Sequence, residues 1–127
     1  NFAKRIIHNA KLRNTSICGA TETILIHEKI IKKFGNSILK NLEKNGCKII
    51  GDTKIIKLYD GKVQKSTIKD WSKEYLSATV SVKSVKSLDQ AIVHINHYGT
   101  RHTDCIITEN KKSAQKFAKR SALSLML

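Results

Sequence analysis

Cys18 is the side chain of this sequence with the clearest potential for chemistry. It precedes Gly19 and stands between a basic segment and the β-branched run Thr23–His27. A partly exposed cysteine in a tight turn can present its thiolate to a substrate, and the backbone N–H groups of the turn can stabilise a developing oxyanion. Buried and inert cysteines are also common, so the spacing alone leaves both catalysis and a packing role open.

The number and spacing of the cysteines indicate reduced thiols. The three residues, Cys18, Cys47 and Cys105, form no regular pattern, which argues against a disulfide framework and favours the cytoplasm. No apolar run approaches the roughly 20 residues that cross a bilayer, and the N-terminus lacks the pattern of a signal peptide. We therefore predict a cytoplasmic protein with no membrane partner.

A second group of chemically capable side chains consists of His94, His97, His102 and Cys105. Two histidines three positions apart on one helix could both bind a metal ion, as zinc sites require. Cys105, however, lies in an apolar run that predicts a strand. We therefore predict no metal site in this group.

The net charge of +14 would ordinarily indicate a nucleic-acid partner. The lysines are scattered along the chain, however, and aromatic residues make up only 6%, which is little for stacking on bases. This distribution favours a lysine-rich solvated surface over specific recognition of nucleic acid. A basic binding protein, with nucleic acid or another protein as its partner, remains the alternative function.

The first half of the chain predicts two helices and two strands. Apolar residues at helical spacing predict an amphipathic helix over 2–14, with the basic residues off its apolar stripe. The run Thr23–His27 predicts a buried strand, the apolar face over 30–42 a second helix, and 47–50 a second strand. The interval 51–70 has no clear pattern beyond a weak helical turn and then a turn signal at Asp60-Gly61.

The second half continues the alternation. We predict a strand at 77–85, a helix that begins after Ser87 and stops at Gly99, a strand at 104–108 and a helix at 113–122. Alternating strands and helices predict an α/β fold with a mostly parallel sheet. A length of 127 residues predicts one domain, residues 1–127.

Several blocks of sequence occur in one order along most of the chain. They are Asn9–Arg13, Thr15–Ala20, Glu22–Leu25, Asp70–Leu76, Ser81–Lys83, Leu88–Ile95 and Tyr98–Asp104. In this order they resemble glutamate-5-semialdehyde dehydrogenase, also called gamma-glutamyl phosphate reductase, of the aldehyde dehydrogenase superfamily. The first three blocks are similar to the cysteine signature of that family.

The resemblance implies a fold and a reaction. The fold would be the three-layer α/β sandwich of an aldehyde dehydrogenase catalytic domain. Cys18 matches the nucleophile that attacks gamma-glutamyl phosphate, and NADPH would then reduce the thioester to the semialdehyde on the route to proline. Glu74 matches the acidic residue that contacts the nicotinamide ribose, although an exposed carboxylate paired with a lysine is the alternative. His102 would lie near the substrate pocket or cap a strand end.

The resemblance also implies that this chain is a fragment. It begins at Asn1 rather than Met, and its end, 121–127, matches nothing in the family. Most of the dinucleotide-binding domain and a carboxy-terminal block have no counterpart here. We therefore predict a homo-oligomer that fails to bind NADPH at micromolar concentrations and has little or no reductase activity alone.

Overall fold

A computed structural model describes residues 2–13, 21–99 and 105–120, together with the backbone of 125–126. The backbone packs as two units, residues 1–86 and 87–127. The predicted single domain over 1–127 stays a prediction.

The first unit is built on a parallel sheet with helices between its strands. Its elements are α1 (Phe2–Leu12), β1 (Thr23–His27), α2 (Glu28–Ile30), a π-helical turn (Ile31–Gly35), α3 (Asn36–Lys44), β2 (Lys48–Gly51), α4 (Thr53–Leu58), β3 (Gln64–Lys65), a 3-10 helix (Ile68–Ser72) and β4 (Thr79–Val85). The four strands lie in the order β1-β4-β2-β3, and every pair is parallel. The predicted α/β class with a parallel sheet is confirmed.

One face of this sheet forms the core. Ile24 pairs with Val82, and Ile49 pairs with Val80, so these four buried side chains point to the same side. Buried residues of the helical segments, and Tyr59 directly after α4, belong to the same cluster: Ile31, Ile38, Leu39, Leu42, Ile55 and Tyr59. Burying each large aliphatic side chain contributes about 1.5–3 kcal/mol, so this face fixes the register of β1, β2 and β4.

The predicted second helix is longer than the pattern indicated and irregular at its centre. The segments α2, the π-helical turn and α3 run without a break from Glu28 to Lys44. Gly46 ends this run at a φ of +86°, the left-handed region that favours glycine, and its N–H donates to the Glu43 carbonyl at 3.0 Å. The chain then enters β2 one residue later than predicted.

The interval without a clear pattern contains three short elements. Asp52 begins α4 because its carboxylate accepts a hydrogen bond from the Ile55 N–H at 3.0 Å. The other Asp52 oxygen accepts from the N–H and the hydroxyl of Ser84 at 2.9 and 2.8 Å, which ties α4 to β4. Elements this short carry too little periodicity to be recognised in sequence.

The second unit contains α5 (Leu88–Tyr98), β5 (Cys105–Ile106), α6 (Lys111–Arg120) and β6 (Leu125–Met126). Ser87 caps α5 by accepting from the Gln90 N–H at 3.1 Å, as the sequence predicted. β5 and β6 pair in parallel. β5 is shorter than the predicted strand at 104–108, which begins outside the described residues.

Candidate active site at the amino edge of the sheet

The two predicted site residues precede neighbouring strands. Cys18 comes before β1 and Glu74 comes before β4, and β1 and β4 pair in parallel with Thr23 opposite Ser81. The amino ends of these strands therefore meet at one edge of the sheet. Cys18 itself lies outside the described residues, in the interval 14–20, and the contacts below are those of the residues on either side of that interval.

The residues on either side of this interval are joined twice. The Thr21 N–H donates to the Ala10 carbonyl at 2.8 Å. The Lys11 ammonium lies 3.1 Å from Glu22 Oε2, and its side chain is fully buried whereas that of Glu22 is 16% exposed. A buried ammonium group is costly unless it is paired, so Glu22 is the partner that allows Lys11 to be buried.

Glu22 also binds the segment that carries Glu74. The Tyr75 N–H donates to Glu22 Oε2 at 3.1 Å, and the Leu76 N–H donates to Oε1 at 3.4 Å. Leu76 has a φ of +50°, a left-handed conformation that is rare outside glycine and costs on the order of 1–3 kcal/mol. The hydrogen bonds to Glu22 therefore help to hold the backbone next to Glu74 in an unfavourable conformation.

Tyr75 extends the network to the 3-10 helix. Its hydroxyl donates to Asp70 Oδ1 at 2.9 Å, and Asp70 Oδ2 accepts from the N–H and the hydroxyl of Thr67 at 2.7 and 3.1 Å. Burial and the bond to Asp70 raise the pKa of Tyr75. Burial opposes ionisation of Asp70, but the hydrogen bonds from Thr67 and Tyr75 outweigh it and lower the pKa of Asp70.

Ser81 joins the two strands beneath this network. It is fully buried, and its Oγ lies 2.8 Å from Thr23 Oγ1 and 3.2 Å from the Glu22 carbonyl oxygen. The Ser81 N–H donates to the same carbonyl at 3.0 Å. The backbone that follows the cysteine segment is thus fixed to β4.

Glu74 lies in the irregular stretch between the 3-10 helix and β4, and its side chain is exposed. Its neighbours are restrained on both sides. Lys73 lies over the Tyr75 ring, with its ammonium 5.4 Å from the ring centroid, and Tyr75 and Leu76 are bonded to Glu22. The carboxylate is therefore carried by a restrained backbone and faces solvent.

The other two cysteines differ from a reactive thiol. Cys47 is 3% exposed, and burial raises the pKa of its thiol, an effect that nearby Lys11 partly offsets. Cys105 is exposed in the second unit, and partial enclosure raises the pKa of its thiol as well. At neutral pH both side chains are less ionised than an ordinary cysteine.

The structure describes only part of the group that consists of His94, His97, His102 and Cys105. His94 is buried on α5 with its ring 4.7 Å from the Tyr98 ring, and the His97 ring lies 4.4 Å from the same ring. His102 lies outside the described residues. Among the residues that the structure describes, no three His, Cys, Asp or Glu side chains come close enough to share a metal ion. No helix within the described part of the chain is long and apolar enough to span a membrane.

Sequence reasoning missed the burial of Lys11. Its apolar neighbours on α1, Ala3 and Ile7, pack against the core, and Lys11 follows Ile7 by four residues on the same face. The expectation that the basic residues of α1 lie off the apolar face is wrong for Lys11, and Phe2, placed on that face, is 73% exposed. The i, i+4, i+8 spacing of Ala3, Ile7 and Lys11 was the available signal.

A basic cleft on the first unit was also not anticipated. It has a volume of about 310 Å³ and is open to solvent. Its lining consists of Lys4, Arg5, His8, Asn9 and Asn41, from α1 and α3. His8 Nδ1 and Asn41 Nδ2 lie 3.0 Å apart across it. The lining would suit an anion but contains no fully buried charge.

Comparisons with known proteins confirm the predicted resemblance. No family model matches the chain. It is 44% identical to the gamma-glutamyl phosphate reductase of Oceanobacillus iheyensis over 116 residues, which cover 91% of this chain and 28% of that protein. It is also 44% identical to the gamma-glutamyl phosphate reductase of Clostridium beijerinckii, covering 94% of this chain and 28% of the relative.

Solved structures carry the same name. The crystal structure of gamma-glutamyl phosphate reductase from Thermotoga maritima matches 98% of this chain with a TM-score of 0.92 and 37% identity. The enzyme from Saccharomyces cerevisiae matches with a TM-score of 0.66 and 28% identity. The chain covers 30% and 31% of these two structures, so it spans less than a third of the proteins it resembles.

Proposed function

We propose that this chain, similar to a segment of gamma-glutamyl phosphate reductases, is the nucleophile-bearing part of such a reductase. In this proposal Cys18 attacks gamma-glutamyl phosphate and Glu74 contacts the nicotinamide ribose of NADPH. The observation that carries it is the shared sheet edge: both segments precede paired parallel strands, and Glu22 binds Lys11, which precedes the Cys18 segment, and the Tyr75 N–H, which follows Glu74. The small-molecule substrate, the place in proline biosynthesis and the cytoplasmic location belong to the same proposal.

The chemistry assigned to this chain is acyl transfer to sulfur. The Cys18 thiolate attacks the acyl carbon, the bond from that carbon to the phosphate oxygen breaks, and phosphate leaves with the electron pair. The product is a thioester on Cys18. Backbone N–H groups of the cysteine turn would stabilise the negative charge that develops on the acyl oxygen.

Among the described residues, Glu74 is the side chain that we propose as a contact for the nicotinamide cofactor. Glu74 is exposed on a restrained backbone, and its carboxylate can accept hydrogen bonds from ribose hydroxyl groups. When bound, NADPH supplies the hydride that converts the thioester to the aldehyde. The chain's own contributions are the thiolate, the ribose contact and the backbone that holds the two.

We expect the isolated chain to have little or no reductase activity. Holding a hydride donor and its acceptor in reactive geometry can lower the activation barrier by about 7–11 kcal/mol. The resemblance assigns most of the dinucleotide contacts to residues outside this chain. Titration calorimetry with NADPH should therefore give no micromolar isotherm. A clear isotherm accompanied by turnover of glutamate semialdehyde with NADP would contradict this expectation.

The acyl-transfer step is tested separately with p-nitrophenyl acetate. The purified chain should release one equivalent of p-nitrophenolate in a rapid burst and gain an acetyl group on Cys18, located by peptide mass spectrometry. Cys105→Ala should keep the burst and Cys18→Ala should lose it. If the acetyl group appears on Cys105 at the same rate, the nucleophile role of Cys18 is wrong.

A basic binding protein remains the second candidate because of the net charge of +14 and the basic cleft on α1 and α3. Binding to nucleic acid would weaken steeply as salt increases, since each neutralised phosphate releases counterions. A fluorescently labelled duplex and its single strands, titrated at two salt concentrations, separate the two functions. Tight binding with a preferred sequence, in a chain whose Cys18 is unreactive, would favour this candidate.

A further inference from the structure

We propose that Lys11 and Glu22 are positioning residues, whose ion pair fixes the segment that carries Cys18 relative to the segment that carries Glu74. The inference rests on the proposed function, because it assigns these residues a role in the reaction of Cys18. Neither residue is proposed to touch the substrate.

The burial of the pair is the first reason. Among the ion pairs of the described residues, Lys11–Glu22 alone has a fully buried partner. A buried ion pair often contributes little net stability, because desolvation of the charges offsets their attraction. An apolar side chain at position 11 would continue the face formed by Ala3 and Ile7 and fit the core without this cost. The pair is therefore better explained by geometry than by stability.

The second reason is the number of segments that Glu22 joins. Oε2 accepts from Lys11 at the end of α1 and from the Tyr75 N–H, and Oε1 accepts from the Leu76 N–H. One carboxylate thus binds the residues before the cysteine segment and the residues after Glu74, and Glu22 itself follows the cysteine segment. Moving this carboxylate would therefore shift the residues that flank the cysteine segment relative to the backbone next to Glu74.

The third reason is the conformation of Leu76. Its φ of +50° is unfavourable for a residue with a side chain, and Glu22 is the acceptor that its N–H reaches. A strained backbone next to a candidate cofactor contact is typical of a site whose geometry is held by its surroundings. Loss of the Glu22 charge would allow this backbone to relax.

The test measures acylation of Cys18 by p-nitrophenyl acetate in the wild-type chain and in Lys11→Met, Lys11→Arg and Glu22→Asp. Met has a similar length and no charge, Arg keeps the charge, and Asp keeps the carboxylate but shortens its arm. A displacement of about 1 Å can cost about a hundredfold in rate, so we expect Lys11→Met and Glu22→Asp to slow acylation about tenfold to a hundredfold. Lys11→Arg should recover most of the rate.

Cys47 supplies the readout that distinguishes positioning from stability. It is 3% exposed and lies in the core cluster of the same unit, so its alkylation by iodoacetamide reports opening of that core. In a positioning role, Cys18 slows while Cys47 stays protected as in the wild type. In a merely structural role, Cys47 becomes accessible in the same variant, and that result overturns the inference.

Failure of this inference is distinct from failure of the proposed function. If wild-type Cys18 is acylated no faster than Cys105, the proposed function is wrong. If wild-type Cys18 is fast and both Lys11→Met and Glu22→Asp react at the wild-type rate, only the positioning role is wrong. Should Lys11→Met not fold, Glu22→Asp decides, and an unchanged Cys18 rate in that variant overturns the positioning role.

Discussion

The Lys11–Glu22 pair lies at the amino edge of the sheet with a fully buried ammonium group, whereas Asp89 of the second unit pairs with Lys116 and Arg120 at the surface. The side chain of Asp89 is 54% exposed, and its ion pairs among the described residues join α5 to α6. Glu22 joins three separate segments and binds two backbone N–H groups as well as a charge. When one partner of a surface ion pair is removed, water solvates the remaining charge. When one partner of the buried pair is removed, the remaining charge stays buried and unpaired.

The largest difference should appear when each carboxylate is removed. Glu22→Ala leaves Lys11 buried without a partner, and breaking a buried pair in this way costs about 3–5 kcal/mol in the free energy of unfolding. Asp89→Ala leaves two solvated cations and should leave the unfolding midpoint unchanged. Urea unfolding followed by circular dichroism measures both variants. Equal effects of the two substitutions would show that burial of the Lys11–Glu22 pair has no energetic consequence.

A core substitution tests whether alkylation of Cys47 reports the stability of the first unit. Leu42 is fully buried in the same cluster as Cys47, so Leu42→Ala should lower the free energy of unfolding by about 2–5 kcal/mol. It should also speed alkylation of Cys47 by iodoacetamide. The matched surface change is Val93→Ala, at a side chain 61% exposed, which should change neither quantity. If Leu42→Ala left Cys47 protected, Cys47 would not report on this core.

A smaller effect is expected from the hydroxyl of Tyr75. Tyr75→Phe removes the hydrogen bond to Asp70, which should cost about 0.5–1.5 kcal/mol by urea unfolding monitored through Trp71, the single tryptophan. The variant should also change the dependence on pH. The pKa of Asp70 is lowered in the folded chain, so its ionised carboxylate contributes fully to stability at pH values well above the ordinary pKa of 3.8. This contribution to stability is lost as the pH falls through the pKa of Asp70 in the folded chain.

Tyr75→Phe should therefore flatten the acid limb of the stability profile, because the folded pKa of Asp70 returns toward its ordinary value. Asp70→Asn, which removes the titrating group, is the control and should flatten it further. A profile identical to that of the wild type in both variants would show that this hydrogen bond does not contribute to acid stability.

The smallest expected effect is that of salt. The pKa of Asp89 is lowered by hydrogen bonds to Lys116 and Arg120 and by their charges, and these groups are exposed. At about 1 M salt the Debye length is about 3 Å, so the pKa of Asp89 should move toward its ordinary value. The pKa of Asp70 should stay low, because the two protein hydroxyls and the backbone N–H that bind it are not screened. NMR titrations that follow the carboxylate chemical shifts measure both pKa values. Equal changes of the two pKa values with salt would show that the two carboxylates do not differ in screening.

The elements predicted well were those with strong local signals. Thr23–His27 was recognised from its β-branched run, and α5 from the Ser87 cap and the Gly99 stop. The short β3 was missed and α4 was indicated only as a weak helical turn, since a few residues cannot establish a period. The predicted strand at 104–108 is only Cys105–Ile106 within the described part of the chain.

The roles of Cys18 and Glu74 stay predictions, and the hydrogen-bond network around Glu22 was not predictable from the sequence. The order of the motifs indicated that Cys18 and Glu74 belong together, and the alternation of elements placed each before a strand. The role of Glu22 could not be recognised, because its partners include Lys11, eleven residues earlier, and the backbone N–H groups of Tyr75 and Leu76, more than fifty residues later. Backbone donors carry no sequence signature, so such contacts emerge only from tertiary structure.

The most direct test of the nucleophile role is the pH dependence of alkylation of all three cysteines in one sample. Iodoacetamide labelling between about pH 5 and 10, quantified by peptide mass spectrometry, gives a rate profile for each thiol. Burial raises the pKa of Cys47 and of Cys105, so their rates should rise only at high pH. We predict that Cys18 reaches its half-maximal rate at the lowest pH and reacts fastest at neutral pH. If Cys18 reached its half-maximal rate at the same pH as Cys105, or at a higher pH, that result would contradict the account.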